Sequence, residues 1–122
     1  MPSDLTVIRP GHHLVRTVHE DPLAQFLSGQ LTERTKKAYY SDLCEFFNGD
    51  RIRPEDVQAV DFADIIEYRN ALAAMGRKRT TINRKLSSLK AFFKMMIAAD
   101  IIDKNPADSA LVRGYRVDDT VS

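Results

Sequence analysis

The chain is poor in cysteine and has no long apolar run. Its single cysteine, Cys44, excludes an internal disulfide and leaves no cysteine cluster for zinc. No stretch approaches the roughly 18 apolar residues of a membrane-spanning helix, and residues 1–4 lack the start of a signal peptide. We therefore expect a cytoplasmic protein that does not contact a membrane. Cys44 lies in an apolar pattern between Leu43 and Phe46, which favours a buried, inert thiol.

Acidic side chains are absent from residues 68–99, although the whole chain contains 17 of them. That segment holds eight of the 18 basic residues, so the near-neutral net charge of +1 conceals a strongly dipolar molecule. The eight are Arg69, Arg77, Lys78, Arg79, Arg84, Lys85, Lys90 and Lys94. A charge asymmetry of this kind indicates an acidic partner, with nucleic acid first, although a solvated helix face would look similar.

Helix-start signals divide the first half of the chain into helices. Asp21, followed by Pro22, predicts a first helix to about Gly29. Thr32 predicts the cap of a second helix, with Leu31 packing back on its first turn, and this helix ends at 48–50. Residues 51–60 read as a connection with a short turn at 54–56.

The second half of the chain continues the helical pattern. Asp61 predicts the cap of a third helix that stops at Gly76, and Thr80 predicts the cap of a fourth that ends near Asp100. The expected core face of the fourth helix is Ile82, Leu86, Leu89, Phe93, Met96 and Ile97, with Arg84, Lys85, Ser88 and Lys94 off it. Asn105 caps a short fifth helix through Leu111. The predicted fold is all-α, four main helices plus a short C-terminal one.

The two ends of the chain lack helical periodicity. Residues 1–19 predict a flexible N-terminal segment, and 113 onward has no period. His12, His13 and His19 lie in the first segment without a carboxylate or cysteine at ligand spacing, so we expect no metal site. No other pattern predicts a cofactor.

Two sets of residues are candidates for contact with DNA. Cations in the 77–79 turn and free N–H groups at the start of the fourth helix suit phosphates, while Asn and Arg side chains can read adenine and guanine edges. A second set with the same chemistry opens the second helix. The candidates are Thr32, Arg34, Thr35 and Lys36 in that helix, and Arg77, Lys78, Arg79, Thr80, Thr81, Asn83, Arg84 and Ser87 in the turn and fourth helix.

Two motifs carry a family resemblance. One is Leu31-Thr32-x-x-Thr35-x-x-x-Tyr39-x-x-Asp42-Leu43-x-x-Phe46. The other is Thr80-x-x-x-Arg84-x-Leu86-Ser87-Ser88-Leu89-Lys90-x-Phe92-Phe93, followed by Ile102-x-x-Asn105-Pro106-Ala107. In this order they resemble the core-binding domain of tyrosine recombinases, the phage integrase family, over about residues 20–112.

The resemblance implies a SAM-like helical bundle that grips the core recombination site of double-stranded DNA with its second and fourth helices at the major groove. It implies that 113–122 links to a C-terminal catalytic domain that this chain lacks. The family's nucleophilic tyrosine, with its Arg, Lys and His partners, belongs to that domain. We therefore expect no catalysis by this fragment, and neighbouring recombinase protomers as further partners.

Two other function classes compete with the DNA module. A helical protein-interaction domain could use the basic helix to bind an acidic protein or a neighbouring protomer. Such interfaces favour central aromatic anchors, whereas this set consists of Thr, Ser, Asn, Arg and Lys, which favours DNA. A small enzyme has least support, because no base or paired carboxylate accompanies any of the four tyrosines, Tyr39, Tyr40, Tyr68 and Tyr115.

Overall fold

A computed structural model of the chain describes residues 21–116. Within that range there are five helices and no strand: α1 (Pro22–Ser28), α2 (Glu33–Phe47), α3 (Pro54–Gln58), α4 (Phe62–Ala74) and α5 (Arg79–Ala98). The predicted all-α class is confirmed. The predictions for residues 1–19, including the three histidines, lie outside the described residues, as does the end of the predicted linker beyond 116.

Side-chain caps begin three of the helices where the sequence predicted them. The carboxylate of Asp21 accepts the N–H of Ala24 at 3.0 Å, and Thr32 Oγ1 accepts the N–H of Thr35 at 3.1 Å. Asp61 and Asp64 form a reciprocal capping box. The predicted packing of Leu31 on the first turn of α2 is wrong, because that side chain is 99% exposed.

The turn between α4 and α5 is tighter than predicted. Gly76 adopts a left-handed φ of 83°, and the N–H of Arg77 donates to the carbonyl of Leu72 at 3.1 Å, which closes α4. The chain then enters α5 at once, with Lys78 as the cap and no side-chain cap bond. Thr80 therefore lies inside the helix, and its predicted role as the cap is wrong.

Two short segments also differ from the prediction. The expected turn at 54–56 is extended into α3, because Asp56 accepts both the N–H and the guanidinium of Arg53. The predicted C-terminal helix is absent, and residues 105–112 form successive turns. The Asn105 and Asp108 side chains each accept a backbone N–H two residues on, at 2.9 Å. Such local bonds compete with helix formation.

The core surrounds α5, which contacts α1, α2 and α4. Phe92 and Phe93 are both fully buried, and Phe92 meets Phe26 edge to face with ring centroids 5.5 Å apart. Lys85 and Ser88, predicted to lie off the core face, are also buried, at 6% and 4% exposure. They are buried because each has a carboxylate partner on α2, described below.

Three further features concern membrane insertion, metal ligands and the single thiol of the described bundle. No helix among residues 21–116 is long and apolar enough to span a membrane, and the same residues contain no cluster of three potential metal ligands. Burial raises the pKa of the half-buried Cys44 thiol, which is typical of a structural cysteine.

Candidate nucleic-acid interface

The basic turn, residues 77–79, projects three cations between α4 and α5. Lys78 and Arg79 are exposed, and the side chain of Lys78 has no hydrogen bond or ion pair within the described part of the chain. Arg77 is half-buried, and its Nη2 lies 3.0 Å from Glu45 Oε2. Of the three cations predicted to bind phosphate, Lys78 is thus open to a ligand, Arg79 is exposed but lies near the Tyr115 ring, and Arg77 is bound within the fold.

Beneath this turn lies a partly buried group of charges, here called the Asp42 cluster. Asp42 is 1% exposed and accepts hydrogen bonds from three side chains of α5, at 2.7 Å from Arg84, 3.2 Å from Lys85 and 2.6 Å from Ser88. Lys85 also lies 2.9 Å from Glu45. The cluster consists of Asp42, Glu45, Tyr68, Arg77, Arg84, Lys85 and Ser88. Its three cations face two carboxylates, so it keeps one positive charge.

Glu45 is the second acceptor of the cluster and remains ionised. Burial acts to raise the pKa of its carboxyl, but hydrogen bonds from Tyr68, Lys85 and Arg77 outweigh burial and hold the pKa at about 2. Burial, together with the 2.5 Å hydrogen bond from its hydroxyl to Glu45, raises the pKa of Tyr68. Tyr68 therefore stays protonated as a donor.

Arg84 connects the Asp42 cluster to the surface. Its side chain is 51% exposed although one guanidinium nitrogen is bound to the buried Asp42. A guanidinium has five N–H donors in a rigid plane, so this bond fixes the orientation of the group and leaves other donors facing solvent. The arrangement holds a bidentate donor ready for a phosphate or a guanine edge.

The predicted contacts on α5 divide between two sides of the helix. Thr80, Arg84 and Ser87 are all exposed, and their spacing of four and three residues aligns them in one outward stripe. Asn83 and Arg79 instead turn toward the segment that follows the last turn of the bundle. Thr81 is half-buried.

That following segment, residues 113–116, docks against α4 and α5. The N–H of Tyr115 donates to Asn83 Oδ1 at 2.7 Å, and the carbonyl of Tyr115 accepts a hydrogen bond from Asn83 Nδ2 at 2.6 Å. The Arg69 and Arg79 guanidiniums lie 5.8 and 5.9 Å from the centre of the Tyr115 ring. The sequence carries no periodic signal for this contact. The one compatible sequence feature is an aromatic residue that follows a cation-rich helix.

Some of the predicted DNA contacts at the start of α2 bond instead to other residues of the same helix start. The Thr32 hydroxyl donates to Thr35 Oγ1 at 2.9 Å, and Lys36 lies 3.3 Å from Glu33 in an exposed pair. Such pairs contribute little and open readily. Arg34 is exposed, and its side chain makes no hydrogen bond or ion pair with any described residue.

The two helix N-termini lie on opposite sides of the α2–α5 crossing. Asp42 meets Ser88, and Glu45 meets Arg77 and Lys85, whereas Tyr39 shares a groove with residues 91–95. The start of α2 is therefore near the second half of α5. Each N-terminus is roughly 15 Å from the crossing, at 1.5 Å per residue. A duplex contacting both would meet them at two separate places.

Comparisons with known proteins agree on a family. The family model described as "Phage integrase, N-terminal SAM-like domain" matches residues 23–100. The tyrosine recombinase XerC of Thermodesulfovibrio yellowstonii is 36% identical over 76 residues, covering 62% of this chain and 24% of that protein. The XerC of Pediococcus pentosaceus is 35% identical over 79 residues, covering 63% and 26% respectively. The XerC of Listeria monocytogenes is 36% identical over 90 residues, covering 67% and 29%.

The matches cover only a part of each relative. The chain spans about a quarter of the length of the curated relatives it matches. No solved structure matches it. The family resemblance drawn from the two sequence motifs is confirmed.

Proposed function

Since this chain belongs to the family of phage integrase N-terminal SAM-like domains, we propose that it is a DNA-binding module of a site-specific tyrosine recombinase. In this proposal it grips the core recombination site through α2 and α5 at the major groove. Its partners are double-stranded DNA, a C-terminal catalytic domain and neighbouring recombinase protomers, in the cytoplasm. The module itself performs no chemistry.

The observation that carries the proposal is the exposed stripe on α5 and the charges beneath it. Thr80, Arg84 and Ser87 are short or planar hydrogen-bonding groups on one outward line, and Asp42 holds Arg84 in place. Lys78 and Arg79 stand at the end of that line, where they suit backbone phosphates. Side chains fixed before binding lose little conformational freedom on binding, which favours recognition.

The contacts divide by role in this proposal. Lys78, Arg79 and Arg34 bind phosphates and set the position of the protein, because they are exposed cations that need no particular base. Arg84 and Ser87 face base edges. Arg77 acts indirectly, since its guanidinium is bound to Glu45.

A binding titration tests the proposal. A labelled duplex of about 20 base pairs, two helical turns, would be titrated at about 50 and 200 mM salt. If about five phosphates are neutralised, log K falls against log salt with a slope near −4 to −5. Arg84→Ala should weaken binding by about 1–3 kcal/mol, while Lys104→Ala, at an exposed cation outside the predicted contact set, should change it little.

Two results would contradict the proposal. One is a folded protein that does not bind the duplex at low salt. The other is unchanged affinity in a folded Arg84→Ala variant, which would remove Arg84 from the interface. Chemical unfolding of both variants separates lost contact from lost fold, because Arg84 also bonds to Asp42.

A protein-interaction role is the second candidate. Met75 and Leu31 are 65% and 99% exposed, and Met75 stands beside the basic turn. Exposed apolar side chains beside cations also suit an acidic protein or a neighbouring protomer. NMR shifts confined to residues 31 and 75 on self-association, with none from the duplex, would favour this role.

A further inference from the structure

The docked segment 113–116 contacts two candidate DNA-binding side chains, Asn83 from the sequence analysis and Arg79 from the proposed function. Asn83 uses both the oxygen and the nitrogen of its side-chain amide in hydrogen bonds to the backbone of Tyr115, at 2.7 and 2.6 Å. The ring of the same tyrosine lies near the guanidinium of Arg79. Arg69 adds a third attachment, donating to the carbonyl of Arg113 at 2.8 Å.

The Asn83–Tyr115 pair has the chemistry of a base contact. An asparagine amide reads adenine by accepting from N6–H and donating to N7. The N–H and carbonyl of Tyr115 present the same donor and acceptor to the same amide. The segment therefore occupies Asn83 in the manner that an adenine edge would.

Close packing leaves no room for both occupants. A Cβ built on Gly114 would lie 2.7 Å from Asn83 Oδ1, so the backbone of the segment rests directly on the amide. Val112, one residue before the segment, is 4% exposed and anchored in the core. Release can thus be confined to 113 and beyond while the bundle stays folded.

We propose that residues 113–116 and duplex DNA compete for Asn83 and Arg79, so that the docked segment is an autoinhibitory contact. The inference rests on the proposed function. DNA binding would displace the segment, and its release would free a base-reading amide and a phosphate-binding cation together. If the segment is docked about nine-tenths of the time, its release raises the apparent affinity about tenfold.

Gly114→Ala in the full chain tests the competition without changing any charge. The added methyl group forces either Asn83 or the segment to move, which breaks the two-point contact. Gly29→Ala is the matched control, since a Cβ there meets its neighbours at ordinary distances of 3.4 and 3.5 Å. Tyr115→Ser is a second variant that removes the ring from Arg69 and Arg79, in case Gly114→Ala does not fold.

Two readouts follow both the segment and the DNA. The first is duplex affinity, which should rise several-fold to about tenfold in Gly114→Ala and by less in Tyr115→Ser, while Gly29→Ala stays unchanged. The second is hydrogen exchange of the Tyr115 amide in the wild-type chain. That exchange should accelerate when the duplex is added, because displacement breaks its bond to Asn83.

The outcomes separate this inference from the function beneath it. If the wild-type chain binds DNA and the Tyr115 amide stays protected, or if the Gly114→Ala and Tyr115→Ser variants bind no tighter, the competition is refuted and the DNA module stands. If neither the wild type nor the folded variants bind DNA, the proposed function fails, and this inference fails with it.

Discussion

Glu45→Gln should remove a pH-dependent part of the stability of the bundle. The fold lowers the pKa of Glu45 from 4.5 to about 2 against the effect of its own burial, through bonds from Tyr68, Lys85 and Arg77. Each pKa unit is worth about 1.4 kcal/mol, so the shift corresponds to about 3 kcal/mol. The side chain is 32% exposed, and solvent screening reduces this to about 2 kcal/mol.

The direction with pH follows from the lowered pKa. A carboxylate whose pKa is depressed by folding stabilises the protein above its ordinary pKa, and this contribution is lost as the pH falls toward the folded value. The difference in unfolding free energy between wild type and Glu45→Gln should therefore be about 2 kcal/mol at pH 7. It should shrink through the window from pH 4.5 to about 2.

Urea unfolding at a series of pH values measures this difference directly. Glu67→Gln is the control, because Glu67 is exposed and its side chain makes no hydrogen bond or ion pair within residues 21–116. A Glu45→Gln deficit of the same size at pH 7 and pH 3 would refute the reasoning. So would a deficit no larger than that of Glu67→Gln.

Three further predictions concern the same bundle. Asp42→Ala should lower the unfolding free energy by about 3–5 kcal/mol, since it leaves the buried Lys85 and Ser88 without their shared acceptor. A smaller loss than that caused by Asp64→Ala would contradict this. Phe92→Ala, at 0% exposure, should lower the unfolding free energy by about 3–5 kcal/mol, and a loss under about 1 kcal/mol would mean that the core repacks. Asp61→Ala should remove the cap of α4 at a cost of about 1 kcal/mol, measured by thermal unfolding, and Asp61→Asn should retain most of that stability.

Capping and periodicity account for the parts of the fold that the sequence predicted. The sequence identifies Asp21, Thr32 and Asp61 as caps, because a short polar side chain just before an apolar helical pattern can accept a free N–H of the first turn. Gly76 ended its helix for a similarly local reason, a left-handed φ. The sequence does not predict the 105–112 turns, because Asn105 followed by Pro106 also satisfies the rules for a helix start. The competing hydrogen bond from the Ala110 N–H to Asp108 is seen only in the structure.

The candidate site was less predictable, since its geometry depends on partners far apart in the chain. Periodicity placed Lys85 and Ser88 off the core face, yet both are buried because Asp42, more than 40 residues earlier, accepts from them. The same carboxylate fixes Arg84. The contact of Asn83 with Tyr115 is likewise non-local. Residue chemistry singled out α5 as a candidate surface, but which of its side chains are exposed and which are bound inside the bundle became clear only from the fold.

Because Arg84 is both exposed and bound to Asp42, the exposed positions of α5 do not tolerate substitution equally. Thr80 and Ser87 are exposed and bind no described side chain, so if α5 binds DNA as proposed, a new residue there would alter recognition and leave the bundle intact. A change at Arg84 would disturb the buried carboxylate of Asp42 as well as the DNA contact that we propose for this side chain. Relatives that recognise different sites should therefore diverge first at 80 and 87, and an engineer seeking a new target sequence should randomise those two positions while keeping Arg84.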